Sequence, residues 1–185
     1  MKHIYKLGRV VTKILEVCHW VATGLMTAAT VCSVAAPKWV DSFVSLDGKE
    51  CCGADLEVYG FEVNAPLVDG NVDMTHFLLF GIGATVILGV MAMVFRNLYF
   101  IFKNSENATP FQKDNVRMMK EIGIFAIALP VIGLVMSVVV RLVTGVETAE
   151  IRVDMGGVFM GIIVLCLTQI FAHGAELEKD VDGLV

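Results

Sequence analysis

The sequence predicts an all-α integral membrane protein, a four-helix transmembrane bundle carrying a small extracytoplasmic β-rich loop. Composition is the first observation behind this expectation. Of 185 residues, 56% are hydrophobic and 18% charged, whereas soluble domains run at roughly 45–50% apolar and about 25% charged. Mean hydropathy is +0.73, and one soluble domain of this size has too little interior to bury so much apolar surface. The second observation is four separate stretches suited to crossing about 30 Å of hydrocarbon, which takes about 20 helical residues. The third is a lopsided distribution of Lys and Arg between the connections. Residues 1–185 therefore read as a single membrane domain, and the lipid bilayer is the first partner the chain implies. A net charge of −5 offers no basic face, so no direct nucleic-acid contact is expected. The same composition excludes a disordered chain, a disulfide-dense secreted module and an ordinary water-soluble enzyme.

The first span covers about residues 17–36 and is diluted by Thr23, Thr27 and Thr30. Ser33-Val34-Ala35 resembles a leader-peptidase site. However, the apolar stretch exceeds the roughly 7–15 residues of a signal peptide, and cleavage would leave three spans with an awkward charge balance. The second span (about 77–95) is uncharged and is followed by Arg96. The third (about 122–140) stops at Arg141, and the fourth (about 155–172) is expected to end at His173-Gly174. Ten of the fourteen Lys and Arg fall in the N-terminal segment, the 96–121 loop and the 173–185 tail. The positive-inside rule then puts both termini in the cytoplasm of an inner-membrane protein.

The extracytoplasmic loop, residues 37–76, holds eight acids against two lysines. Phe43-Val44-Ser45-Leu46, then Asp47-Gly48, then Lys49-Glu50-Cys51-Cys52 reads as a tight hairpin, because Asp-Gly supplies the positive φ such turns need. Leu56-Glu57-Val58-Tyr59 and Phe61-Glu62-Val63 alternate like another strand. Residues 148–154 offer one more, so a small sheet is expected over the outer mouth of the bundle.

In the cytoplasmic loop, residues 96–121, Thr109-Pro110-Phe111-Gln112 places an N-cap threonine before a first-turn proline and a third-position glutamine. A helix is expected over 111–120, running into span three. Lys113, Arg117 and Lys120 then share one face, suited to anionic headgroups. Asn107-Ala108-Thr109 forms a glycosylation sequon on the wrong side of the membrane for use. The tail, residues 173–185, begins as a helical extension and turns acidic, adequate as a docking peptide.

Within the spans, small residues at helical spacing, such as Gly157 and Gly161, read as packing faces. Glu16, His19, Arg96 and Gln169 form an intramembrane polar cluster near the cytoplasmic ends of their spans, where ionisable groups usually face a partner or a water-filled cavity. Glu16 is expected to pair with Arg96, and His19 to approach Gln169 or His173. Three readings stay open: a cluster that orients the helices, a ligand or proton-coupled site, and a haem held by His19 and His173. Cys18, Cys32 and Cys166 lie within spans. Cys51 and Cys52 stand in an oxidising compartment, where a disulfide or reactive thiols are conceivable. No Cys-x-x-Cys, His-Glu-x-x-His, phosphate loop or nucleophilic triad is present, so neither enzyme activity nor a cofactor is expected.

Thr109-Pro110-Phe111…Asn115-Val116-Arg117…Ile122-Gly123 and Ile170-Phe171-Ala172-His173-Gly174-Ala175-Glu176-Leu177 resemble two signatures of a bacterial four-span membrane family, domain of unknown function 2975 (YoaS-like). That family often carries a basic residue where Ala172 stands and a different C-terminal run from Asp182-Gly183-Leu184-Val185. The resemblance implies a prokaryotic inner-membrane protein without assigned catalysis, often encoded beside a small helix-turn-helix regulator.

The function expected is therefore non-enzymatic and sensory or regulatory, with a cytoplasmic regulator contacted through Phe111, Lys113, Arg117, Lys120 and Glu176. A second copy of the chain, in a homo-oligomer, is a further expected partner. The alternatives are a small transporter or proton-coupled carrier using Glu16, His19 and Arg96, and a membrane thiol or haem redox protein.

Overall fold

The computed structural model describes residues 2–35, 54–68, 71–106, 112–145 and 155–182. Four helices dominate it: α1 (Lys2–Ala35), α2 (Met74–Ser105), α3 (Lys113–Thr144) and α4 (Met155–Asp182). Each is long and apolar enough to cross a membrane, and the chain is a multi-pass membrane protein. Leu25, Val34, Leu142 and Ile170 are all more than half exposed, as apolar side chains solvated by lipid should be.

Helix α1 extends well before the expected span. Its first turns alternate Ile4, Leu7 and Val11 with Lys6, Arg9 and Lys13, and they contain no residue that forces a stop. The threonines that dilute its hydropathy are satisfied inside the helix. Thr12, Thr27 and Thr30 hydroxyls donate to the carbonyls of Gly8, Thr23 and Met26 at 2.7–2.8 Å, so they leave no unmet polar group in lipid.

Helix α3 opens at Lys113, and its first backbone bond runs from Val116 N to Gln112 O at 3.1 Å. Gln112 therefore stands in the cap position rather than inside the first turn, three residues later than the Thr109 cap that the sequence implied. Thr109, Pro110 and Phe111 lie outside the described residues. So do the 43–52 hairpin, the 148–154 strand, Cys51, Cys52 and the sequon.

Helix α4 runs past His173-Gly174 to Asp182, the helical extension expected of the tail. A helical glycine costs about 1 kcal/mol relative to alanine. The strong helix formers after it, from Ala175 to Lys179, offset that easily.

The chain divides into two compact units. Unit one comprises Met1–His19, Val90–Ala128 and Met155–Val185, and unit two comprises Trp20–Gly89 and Leu129–Asp154. Unit two is built around a hairpin. Strands β1 (Ala54–Val58) and β2 (Phe61–Ala65) pair antiparallel, with Val58 opposite Phe61 and Leu56 opposite Val63. Sequence alternation suggested a single strand here, but Tyr59 and Gly60 turn the chain at φ of 47° and 79°. Two consecutive positive φ values are those of a type I′ turn, whose twist matches the flanking strands.

Phe61 and Val63 have no exposed surface, and they form the core of unit two with Phe80, Ala84, Ile87 and Val140. The Phe61 and Phe80 rings stack at 5.7 Å. Gly83 makes the room, since a Cβ there would lie 2.6 Å from Phe61 Cε1. One face of the hairpin thus packs into the core of unit two, while Asp55, Glu57 and Asn64 on its other face are exposed. A second, two-residue pairing of β3 (Leu67–Val68) with β4 (Asn71–Val72) leads into α2. There Asp73 accepts the first helical bond from Phe77 N at 3.2 Å. Its carboxylate also takes a hydrogen bond from buried His76, an N-cap and third-position pair.

Candidate functional site

Unit one collects most of the described charged side chains of the helices. Lys13 donates to Glu16 at 3.0 Å within α1, and its ammonium lies 5.0 Å from the centre of the Tyr99 ring. Glu16 is buried, so this neighbour, three residues away on the same helix, answers its charge. The expected partner, Arg96, instead lies over the Phe100 ring at 5.8 Å. His19 Nδ1 donates to Leu15 O at 2.8 Å, and its ring meets Phe95 at 4.8 Å. Gln169 is exposed on α4. The four residues named from sequence therefore lie in one unit, but Glu16, Arg96 and His19 each meet a different neighbour and Gln169 is exposed.

A stronger network joins the end of α2 to the start of α3. Asn115 has no exposed surface. Its Oδ1 accepts from Asn104 Nδ2 at 3.1 Å, and its Nδ2 donates to Ser105 Oγ at 3.2 Å. About two turns further along, Asn97 donates to Glu121 at 3.0 Å, and Glu121 also faces Arg117 at 3.6 Å. Arg9 of α1 closes on Glu106 at 2.6 Å. Sequence reasoning passed over Asn97, Asn104, Ser105 and Glu106, because polar residues beside a loop look solvated. The only signal for Asn115 was its place in a family-like motif.

On the same unit, α3 and α4 approach closely at Gly161, where a Cβ would come within 2.9 Å of Gly123 O. Beyond this approach lies a groove of about 320 Å³ lined by Lys113 and Val116 of α3 and by Ala172, Ala175, Glu176 and Lys179 of α4. The α4 residues recur at i, i+3, i+4 and i+7, which is one helical face. Glu176 faces His173 Nδ1 at 3.7 Å. Of the contact residues named from sequence, Lys113 and Glu176 border the groove, Arg117 and Lys120 are exposed beside it on α3, and Phe111 is outside the described residues. Among the described residues, no three His, Cys, Asp or Glu side chains converge to hold a metal ion.

The groove combines two ammonium groups, one carboxylate and a floor of methyl groups. It can bind an anion attached to apolar matter, but it contains no nucleophile with an adjacent base. No curated protein and no solved structure matches this chain. The match that exists covers residues 21–185, and so takes in the groove and the Asn115 network but not Glu16 or His19. By that match the chain belongs to the family described as protein of unknown function, DUF2975.

Proposed function

We propose that this protein is a non-enzymatic sensory or regulatory component of a prokaryotic inner membrane, with both termini in the cytoplasm. Its partner would be a cytoplasmic protein, a small helix-turn-helix regulator being the class the family resemblance suggests. The observation that carries this reading is the continuation of α4 as helix to Asp182, past the end of the apolar stretch 155–172. An ordered charged helix outside the hydrocarbon, beside exposed Arg117 and Lys120, suits docking better than a loose tail would. The Asn115 network supports it by tying the end of α2 to the start of α3. The cation count supports the orientation, with ten of fourteen Lys and Arg on the terminal side.

The test is affinity capture of the intact chain from native membranes. One cytoplasmic protein should co-purify, and its recovery should drop about tenfold on deletion of residues 174–185 or in Arg117→Glu/Lys120→Glu, the scale of losing a few charged contacts. Equal recovery from all three forms, or no recovery from any, overturns the proposal.

A further inference from the structure

We propose that the groove between the start of α3 and the end of α4 binds one anionic phospholipid, its phosphodiester held between Lys113 and Lys179. Depth is the first argument. Lys113 opens α3 nine residues before the apolar stretch 122–140, and Lys179 stands seven residues beyond the apolar stretch 155–172. Both ammonium groups therefore lie roughly 10–14 Å along their helices beyond the hydrocarbon. Helix tilt and the long lysine stems bring that distance within reach of headgroups, and lysines near that boundary attract anionic lipid.

Charge is the second argument. Neither lysine is paired with a carboxylate among the described residues. The groove holds two cations against one anion, so a single monoanionic group fits it. Glu176 opposes a second phosphate and can accept a hydrogen bond from a headgroup hydroxyl, which favours a glycerol headgroup.

Shape is the third argument. At about 320 Å³ the groove has the volume of roughly ten waters at 30 Å³ each, enough for a headgroup but too little for a docked helix. Ala172 and Ala175 leave that space because their side chains end at Cβ. Val116 completes an apolar floor, and Leu167 and Ile170, both exposed, stand on the turns of α4 just before Ala172. A ligand with a phosphate at one end and hydrocarbon at the other satisfies both parts. The protein partner proposed above shares the tail residues Ala175, Glu176 and Lys179 with this groove, so the two ideas are told apart by Arg117 and Lys120, which that partner needs and the lipid does not.

The test is native mass spectrometry of the intact chain in detergent, with phosphatidylglycerol and phosphatidylcholine of identical acyl chains added in equal amounts. The protein should retain one phosphatidylglycerol in preference to phosphatidylcholine by about tenfold, a scale set by charge-assisted contacts. Lys113→Gln/Lys179→Gln should abolish the preference, whereas Arg117→Gln/Lys120→Gln, equal in charge removed, should keep it. Val116→Phe fills the groove without touching a charge and should also expel the lipid, with circular dichroism verifying that each variant keeps its helix content. Free glycerol phosphate should not compete. No preference in the natural protein, equal loss in the Arg117/Lys120 variant, or displacement by glycerol phosphate would each overturn the proposal.

Discussion

Asn115 shows how much a single polar side chain can decide in a protein made mostly of hydrocarbon. Its amide is buried and serves Asn104 and Ser105 at once. Removing one partner of a buried hydrogen bond leaves the others with their full desolvation cost, about 1–3 kcal/mol. Asn115→Ala should therefore lower the unfolding midpoint in detergent by that order, while Ser105→Ala added to it costs much less than it does alone. Strict additivity in that double-mutant cycle would show the network to be energetically idle. Gly83 makes the same point sterically. Gly83→Ala drives a methyl group to 2.6 Å from Phe61 Cε1 and should cost about 1–3 kcal/mol by overpacking. Phe61→Leu should recover part of that loss, measurable by the same unfolding assay. Neither residue advertises itself in sequence, because an asparagine beside a loop and a glycine in a span both have ordinary explanations.

Among the elements, the turn of the hairpin differs most from expectation. Tyr59-Gly60 is a weaker turn signal than Asn-Gly, so the alternation around it looked continuous. Tyr59→Asn should be neutral or stabilising, because Asn accepts positive φ more readily. Gly60→Val should cost about 1–2 kcal/mol at φ of 79°. Partial burial raises the Tyr59 phenol above its ordinary value. Folding thus holds this proton more tightly. The small stabilisation it brings is complete below about pH 10 and fades as pH climbs through the raised value. A stability titration of Tyr59→Phe should lack that alkaline decline. In α4, Gly174→Pro should cost about 3 kcal/mol locally and expose residues 174–182 to protease, with the span itself intact. An unchanged digestion pattern would mean that the extension is not helical in the membrane-bound protein.

For the whole molecule, four spans imply that alkaline carbonate leaves the protein in the membrane pellet, and that reporters fused at Met1 and Val185 report the same compartment. Opposite compartments would overturn the proposed orientation. The spans were legible from sequence because hydropathy is a local sum. Residues 77–95 declare themselves as a membrane helix whatever they touch, and an error of a few residues at each end does not alter the count. The candidate site was only half legible. Lys113 and Glu176 were named for their charge and end up on one groove, but their neighbours Val116, Ala172 and Ala175 are indistinguishable in sequence from any other apolar helical residues.

What the sequence determined by itself was the solvent of the chain, the number of its crossings and the family to which it belongs, all of which follow from composition and short motifs. Only the tertiary structure decided that Arg9 meets Glu106, that Asn115 ties α2 to α3, and that one face of the hairpin packs into the core of unit two. Pairings of that kind depend on which of several chemically equivalent groups the packed helices bring within hydrogen-bond or van der Waals range. Nothing in a residue's own identity or immediate neighbours encodes that distance.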